Sequence, residues 1–137
     1  MPGSCSIRCQ DKPRDLTLTN LSEVSQFFTS SQIRYIVWGG GACYALGGSR
    51  STINLDVIIR TSSQDDIQNK INSLVSAGDG KFTWDEGTQS LTYKGLLIDA
   101  FPTDVWVDSP RYLDFFEDGS TEPVDINGVK VKALLPK

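Results

Sequence analysis

The chain contains no histidine. That absence removes Ser-His-Asp and Cys-His catalysis, the commonest zinc-ligand sets and any imidazole pH switch. Cysteine is scarce as well. Cys5, Cys9 and Cys43 are an odd number, and the opening residues have no apolar core resembling a secretory signal, the pattern of a reduced, cytoplasmic protein. No apolar run approaches the roughly 20 residues needed to cross a bilayer. The longest, around Leu55 to Ile59, is interrupted by Asp56, so no membrane partner is expected. There is no basic excess either: 13 Lys and Arg against 17 Asp and Glu give a net charge of -4. Long nucleic acid is therefore a poor partner, and a small anionic ligand needs a local site.

What is present is the composition of one globular domain: 137 residues, 39% of them hydrophobic and 22% charged. Residues 1–15 are polar, with Pro2, Gly3 and Pro13, and read as a flexible arm ahead of a domain over 16–137. From Asn20 as N-cap, Leu21, Val24, Phe27 and Phe28 recur at helical spacing. Residues 33–38 form an apolar strand cut off by a glycine turn at 39–41, after which 42–46 form a short helix. Residues 52–60 predict a second strand. Residues 63–77 predict a helix capped by Ser62 or Ser63, with Ile67, Ile71, Leu74 and Val75 on one face. Strands are expected at 81–85, 89–94 and 96–101, with a turn at Lys94-Gly95. Residues 102–122 read as a folded connection with a helical turn, and 123–131 as a strand pattern around Asn127-Gly128. At the final LLPK another helix could begin, which suggests a boundary before a C-terminal helical region. The pattern is α/β (α+β): a mixed sheet flanked by helices.

The chemistry concentrates between Tyr35 and Arg60, where a strand runs into glycines, a short helix follows, and a polar turn leads to Asn-x-Asp. Residues two apart on a strand share a face, so Asn54 and Asp56 project together while Leu55 and Val57 pack the other side. Asp99, inside the apolar run LLIDAF, is the natural third partner. A carboxylate there needs a reason, since burying one unpaired is costly, and a bound cation supplies one.

With these residues in place the segment resembles the nucleotidyltransferase superfamily, the fold shared with DNA polymerase beta and antibiotic adenylyltransferases, and especially its small AbiEii-toxin-like branch. The resemblance rests on Gly40-Gly41 after a strand, then Gly48, Arg50 and Thr52 leading to Asn54-x-Asp56, then Asp99 on a later strand. It implies a minimal nucleotidyltransferase fold. It further implies Asp56, Asp99 and Asn54 as catalytic and Mg2+-binding positions, and Gly40, Gly41, Ser49 and Arg50 as the binders of a nucleoside triphosphate. The implied reaction passes a nucleoside monophosphate to a hydroxyl by two-metal catalysis. Asn54 stands where the family has its first carboxylate; an amide brings magnesium a neutral oxygen and no charge, so weakened activity follows. The acidic surface favours a small-molecule or protein acceptor over RNA. Two further readings are a pseudoenzyme that keeps the fold as a nucleotide-binding or regulatory module, and one half of a larger enzyme completed by a helical partner region or subunit.

Some neighbouring residues invite blander readings. Cys43 is expected on the apolar side of its helix as an inert core residue, and Trp38, Trp84 and Trp106 as core or groove wall. Tyr93 is a candidate base-stacking ring. Among the loop acids, Asp104 is the first to consider as a replacement ligand.

Overall fold

A computed structural model of the chain describes residues 16–47, 54–63, 65–103, 115–116 and 121–134. The expected arm, Ser49, Arg50, Asp104, Trp106 and most of the 102–122 connection lie outside these residues. Helix α1 spans Leu18–Ser30. Its cap lies three residues before the expected one: Thr17 is the N-cap, its hydroxyl accepting from the Asn20 N–H at 3.1 Å while the Asn20 side chain accepts from the Thr17 N–H at 2.8 Å. Asn20 is thus the reciprocal partner of a capping box and not the cap itself. Leu16 and Leu21, buried in one cluster on either side of the cap, are spaced as a hydrophobic staple.

Strand β1, Tyr35–Trp38, leads directly into helix α2, Gly39–Ala45. The three glycines expected as a turn are the first turn of this helix. Strand β2 is Asn54–Ile59, and helix α3 is Asp66–Ala77. No side chain caps α3 in the way expected of Ser62 or Ser63. Asp66 instead folds back to accept from the Ser62 N–H at 2.9 Å and pairs with Lys70 at 2.7 Å, placing negative charge in the first turn. Strands β3, Phe82–Asp85, β4, Ser90–Tyr93, and β5, Leu96–Pro102, form a meander. Lys94-Gly95 closes its second turn with both residues at positive φ, as a two-residue hairpin demands. Strands β6, Thr121–Ile126, and β7, Val129–Leu134, form the same kind of hairpin at Asn127-Gly128. Leu134 ends β7, and the rest of LLPK, where a further helix is expected to begin, lies outside the described residues.

The seven strands make one mixed sheet in the order β3-β4-β5-β2-β1-β7-β6. Strand β2 pairs antiparallel with β1 and parallel with β5, and β1 pairs parallel with β7. Pro123, which offers no N–H, sits in β6 at the sheet edge, where it breaks no central ladder. The expected α/β architecture, a mixed sheet flanked by helices, is the one observed.

The alternation of the strands assigns two faces. On the helix-covered face Val37, Leu55, Val57, Leu91, Ile98 and Tyr93 join Leu21, Val24, Phe28, Ile71 and Leu74 in one core. On the other, Ile36 and Ile58 are fully buried beneath Trp38, Phe101, Phe115, Phe116 and Leu134. The ends of β2 and β5 are locked by a buried threonine pair, the Thr61 N–H donating to Thr103 Oγ1 at 3.0 Å. No helix among the described residues is long and apolar enough to cross a membrane.

Candidate functional site

The sheet register decides which polar side chains meet. Parallel pairing of β2 with β5 sets Asp56 directly against Asp99, and antiparallel pairing with β1 sets it against Trp38. Leu55 and Val57 anchor β2 in the core at 0% exposure, which turns Asn54 and Asp56 to the opposite face. Ile98 does the same for Asp99. Asn54, Asp56 and Asp99 come together there, all half-buried.

Asn54 binds both acids. Its Nδ2 donates to Asp56 Oδ1 at 3.0 Å and to Asp99 Oδ2 at 2.7 Å, so one amide group bridges two carboxylates. Without such a donor, two adjacent carboxylates repel and resist ionisation. The electrostatic tension remains visible at Asp56: burial first, then the charge of Asp99 and contact with it, push its carboxyl up to about 6, against a partial lowering by Asn54. Two carboxylates side by side can take a divalent cation, and magnesium commonly uses one or two of them with substrate phosphates completing its octahedron. Among the described residues no group of three His, Cys, Asp or Glu gathers for a metal. The donor set here is two acids and an amide, which fits one such cation. Presenting Asn54 Oδ1 to it would require turning the amide over.

Glycine placement differs from the sequence reading in an informative way. The residue that meets the acids is Gly39: its φ is +65°, and a Cβ there would stand 2.9 Å from Asp56 Oδ2. Both the backbone conformation and the approach to the carboxylate require glycine. Gly40 is exposed on the same turn. Gly41 is buried toward the core, where a Cβ would come within 3.1 Å of both Leu55 and Val37. The signal for Gly39 was the unbroken Trp-Gly-Gly-Gly run, which admits the last strand residue as helix N-cap. Around the acids, Trp38 packs edge-on against Phe101, ring centroids 5.2 Å apart, forming an aromatic wall on the same face.

Two neighbouring expectations change. Cys43 is exposed, not a core residue, because Gly41, Ala42 and Ala45 form the buried side of α2. Tyr93 is 1% exposed on the helix-covered face, its hydroxyl donating to Glu23, and so presents no ring to a base.

Comparison with known proteins bears on the fold. No protein-family model and no curated protein sequence matches the chain. Solved structures do. An antigenic nucleotidyltransferase-like protein from Paracoccidioides brasiliensis superposes with a TM-score of 0.67 at 24% identity, covering 85% of this chain and 59% of its own. The fold is nucleotidyltransferase-like. ANT(2'')-Ia, solved in complex with adenylyl-2''-tobramycin, superposes with a TM-score of 0.55 at 16% identity, covering 85% of this chain and 68% of its own. The chain thus spans about six-tenths of the length of the first of these proteins.

Proposed function

We propose that this nucleotidyltransferase-like chain transfers a nucleoside monophosphate from a nucleoside triphosphate to a hydroxyl acceptor, the hydroxyl oxygen bonding to the α-phosphorus as the bond to the β-phosphate breaks and pyrophosphate leaves, with Asn54, Asp56 and Asp99 as its reactive centre. The observation that carries the reading is the pairing of Asp56 with Asp99 across β2 and β5, bridged by the Asn54 amide. Asp56 and Asp99 would hold Mg2+, with Asn54 contributing at most a neutral oxygen. A bound magnesium supplies charge neutralisation at the transferring phosphoryl group. The residues of this chain do the rest. Gly39 keeps the α2 turn clear of Asp56, Gly40 leaves backbone exposed beside it for phosphate, and Gly41 fixes α2 against β1 and β2. Ser49 and Arg50 are assigned to the same phosphates from the resemblance alone. Asp99, beside Asp56, is the group suited to accept the proton of the attacking hydroxyl.

The acceptor we favour is a small molecule or a protein rather than RNA, given the net charge of -4. The occurrence of adenylyl-2''-tobramycin in one fold neighbour supports a small hydroxyl compound. The resemblance to the superfamily favours a helical partner region or subunit that completes the acceptor side. Within the superfamily, the motif wording favours the AbiEii-like branch. We place the protein in the cytoplasm, and the folded unit over residues 16–137.

One observation favours a second reading, a pseudoenzyme that binds nucleotide as a regulatory module. The Asn54 amide already bridges the two carboxylates with hydrogen bonds, which lets them sit together without a cation. Incubation with α-phosphate-labelled nucleoside triphosphates and Mg2+ separates the two. Label transferred to an acceptor by the wild type and not by Asp56→Ala supports the enzyme. Nucleotide binding without transfer supports the module, and neither binding nor transfer overturns both.

A further inference from the structure

The ladder that carries Asp56 at one end carries two arginines at the other. Tyr35 faces Ile59 and Ile36 faces Ile58, so Arg34 and Arg60 are the next opposed pair, and the Arg60 N–H donates to the Arg34 carbonyl at 3.0 Å. Tyr35 and Ile59 pack into the helix-covered core, and the two arginines lie just beyond them at the end of the sheet. The Arg34 guanidinium lies 5.4 Å from the centroid of the Phe116 ring. Like charges directly opposite across an antiparallel pair are destabilising. Among the described residues no carboxylate forms an ion pair with either guanidinium.

The two arginines line a cleft of about 540 Å³ together with Gln32, Ser62, Asp66 and Lys70. Asp66 is held by Lys70 at 2.7 Å and accepts from the Ser62 N–H, so its charge is spent locally. Among the described residues the cleft therefore gathers two arginines without an ion-pair partner, on a chain whose net charge is -4. The Phe116 ring lies against the Arg34 guanidinium, and an arginine guanidinium is the group that recognises phosphate with two parallel donors.

We propose that this cleft is a phosphate-binding site, in which Arg34 and Arg60 together take a doubly charged phosphate group, free or at the end of a small molecule. Asp56 and Arg60 are four residues apart on β2 and its continuation, about 13 Å, so the site is separate from the carboxylates. It stands whether or not the chain transfers nucleotides. A small ion is the committed ligand because the overall acidity opposes a long polyanion.

The test is titration calorimetry of the full chain with inorganic phosphate, pyrophosphate and phenyl phosphate at physiological ionic strength, without Mg2+. Saturable binding is expected. It should weaken at least about tenfold in Arg34→Gln and in Arg60→Glu, and persist in Asp56→Ala. Tighter binding of phenyl phosphate than of the inorganic ions supports a phosphate carried on a larger molecule, and the reverse order supports a free ion. Absence of saturation up to about 10 mM, a Kd weaker than any of physiological use, overturns the proposal. So does binding that survives Arg60→Glu, or that disappears in Asp56→Ala. Should the variants fail to fold, the backbone amide resonances of the wild type decide. Shifts on adding pyrophosphate centred on Arg34, Arg60 and Ser62 support the site, and shifts centred on Gly39, Gly40 and Asp56 overturn it.

Discussion

Strand β2 and its continuation meet like charge at both ends, Asp56 against Asp99 of β5 and Arg60 against Arg34 ahead of β1, and the two ends resolve the conflict differently. At one end Asp56 and Asp99 are bridged by the Asn54 amide at 3.0 and 2.7 Å. At the other, Arg34 and Arg60 oppose each other with no ion-pair partner among the described residues. Between them Ile36 and Ile58 are buried under Phe115 and Phe116, which separates the two ends with apolar surface. The difference teaches that like charge placed by register is not itself a sign of function. A shared hydrogen-bond donor eases the repulsion at the acidic end, whereas at the basic end no ion-pair partner among the described residues does so.

The sharpest way to break the acidic end is Asp99→Ala. It removes one of the two carboxylates proposed to hold Mg2+, and Mg2+-dependent nucleotide binding should fall about a hundredfold, near 2.7 kcal/mol, measured by equilibrium titration. Next comes Gly39→Ala, which forces an alanine into a left-handed conformation and toward Asp56 Oδ2 at 2.9 Å. A loss of about 1 to 3 kcal/mol in urea unfolding is expected. Gly40→Ala, on the exposed turn without positive φ, should be neutral or slightly stabilising.

Asn54→Asp sharpens the comparison by exchanging the compensating amide for a third carboxylate. Without metal the melting temperature should fall, by about 1 to 3 kcal/mol of stability, because the bridged acids lose their shared donor. Millimolar Mg2+ should restore it. A variant that stays destabilised with metal and nucleotide favours the regulatory module over the enzyme.

The pH dependence is smaller and has a definite sign. The Asp56 carboxyl, raised from 3.8 to about 6, holds its proton more tightly in the folded state than in the unfolded chain. Its contribution is therefore fully present below the unfolded value and is lost as pH rises to about 6, with no further change above. Thermal melts from acid to neutral pH should show this decline in the wild type and its removal in Asp56→Asn. Smallest of all, Arg60→Glu should convert the repulsive pair at the basic end into an attractive one. Stability should rise by about 0.2 to 1 kcal/mol.

Much of the acidic end was legible in the sequence because it depends on period-two alternation. Leu55, Val57 and Ile98 announce which face is core, and Asn54, Asp56 and Asp99 follow as the other face. Turn chemistry was equally readable at Lys94-Gly95 and Asn127-Gly128, where both residues take positive φ. Element starts were not. Thr17, not Asn20, caps α1, because a capping box places suitable residues three apart and either can pass for the cap. Gly39 was missed in favour of Gly40 and Gly41, since only the three-dimensional approach of Asp56 distinguishes one glycine of the run from the next. Tyr93 and Cys43 were misplaced for a related reason: a short strand or helix carries too few residues for periodicity to set its buried side. The arginine pair needed the β1–β2 register, a long-range fact that no local pattern carries.

The central claim is that Asp56 and Asp99 form a cation-assisted nucleotide site. Its most direct measurement is calorimetric titration of the full chain with a non-hydrolysable nucleoside triphosphate, with and without millimolar Mg2+. The account predicts saturable binding that requires Mg2+ and disappears in Asp56→Ala. Nucleotide binding that is equal with and without Mg2+, or unchanged in Asp56→Ala, would contradict it.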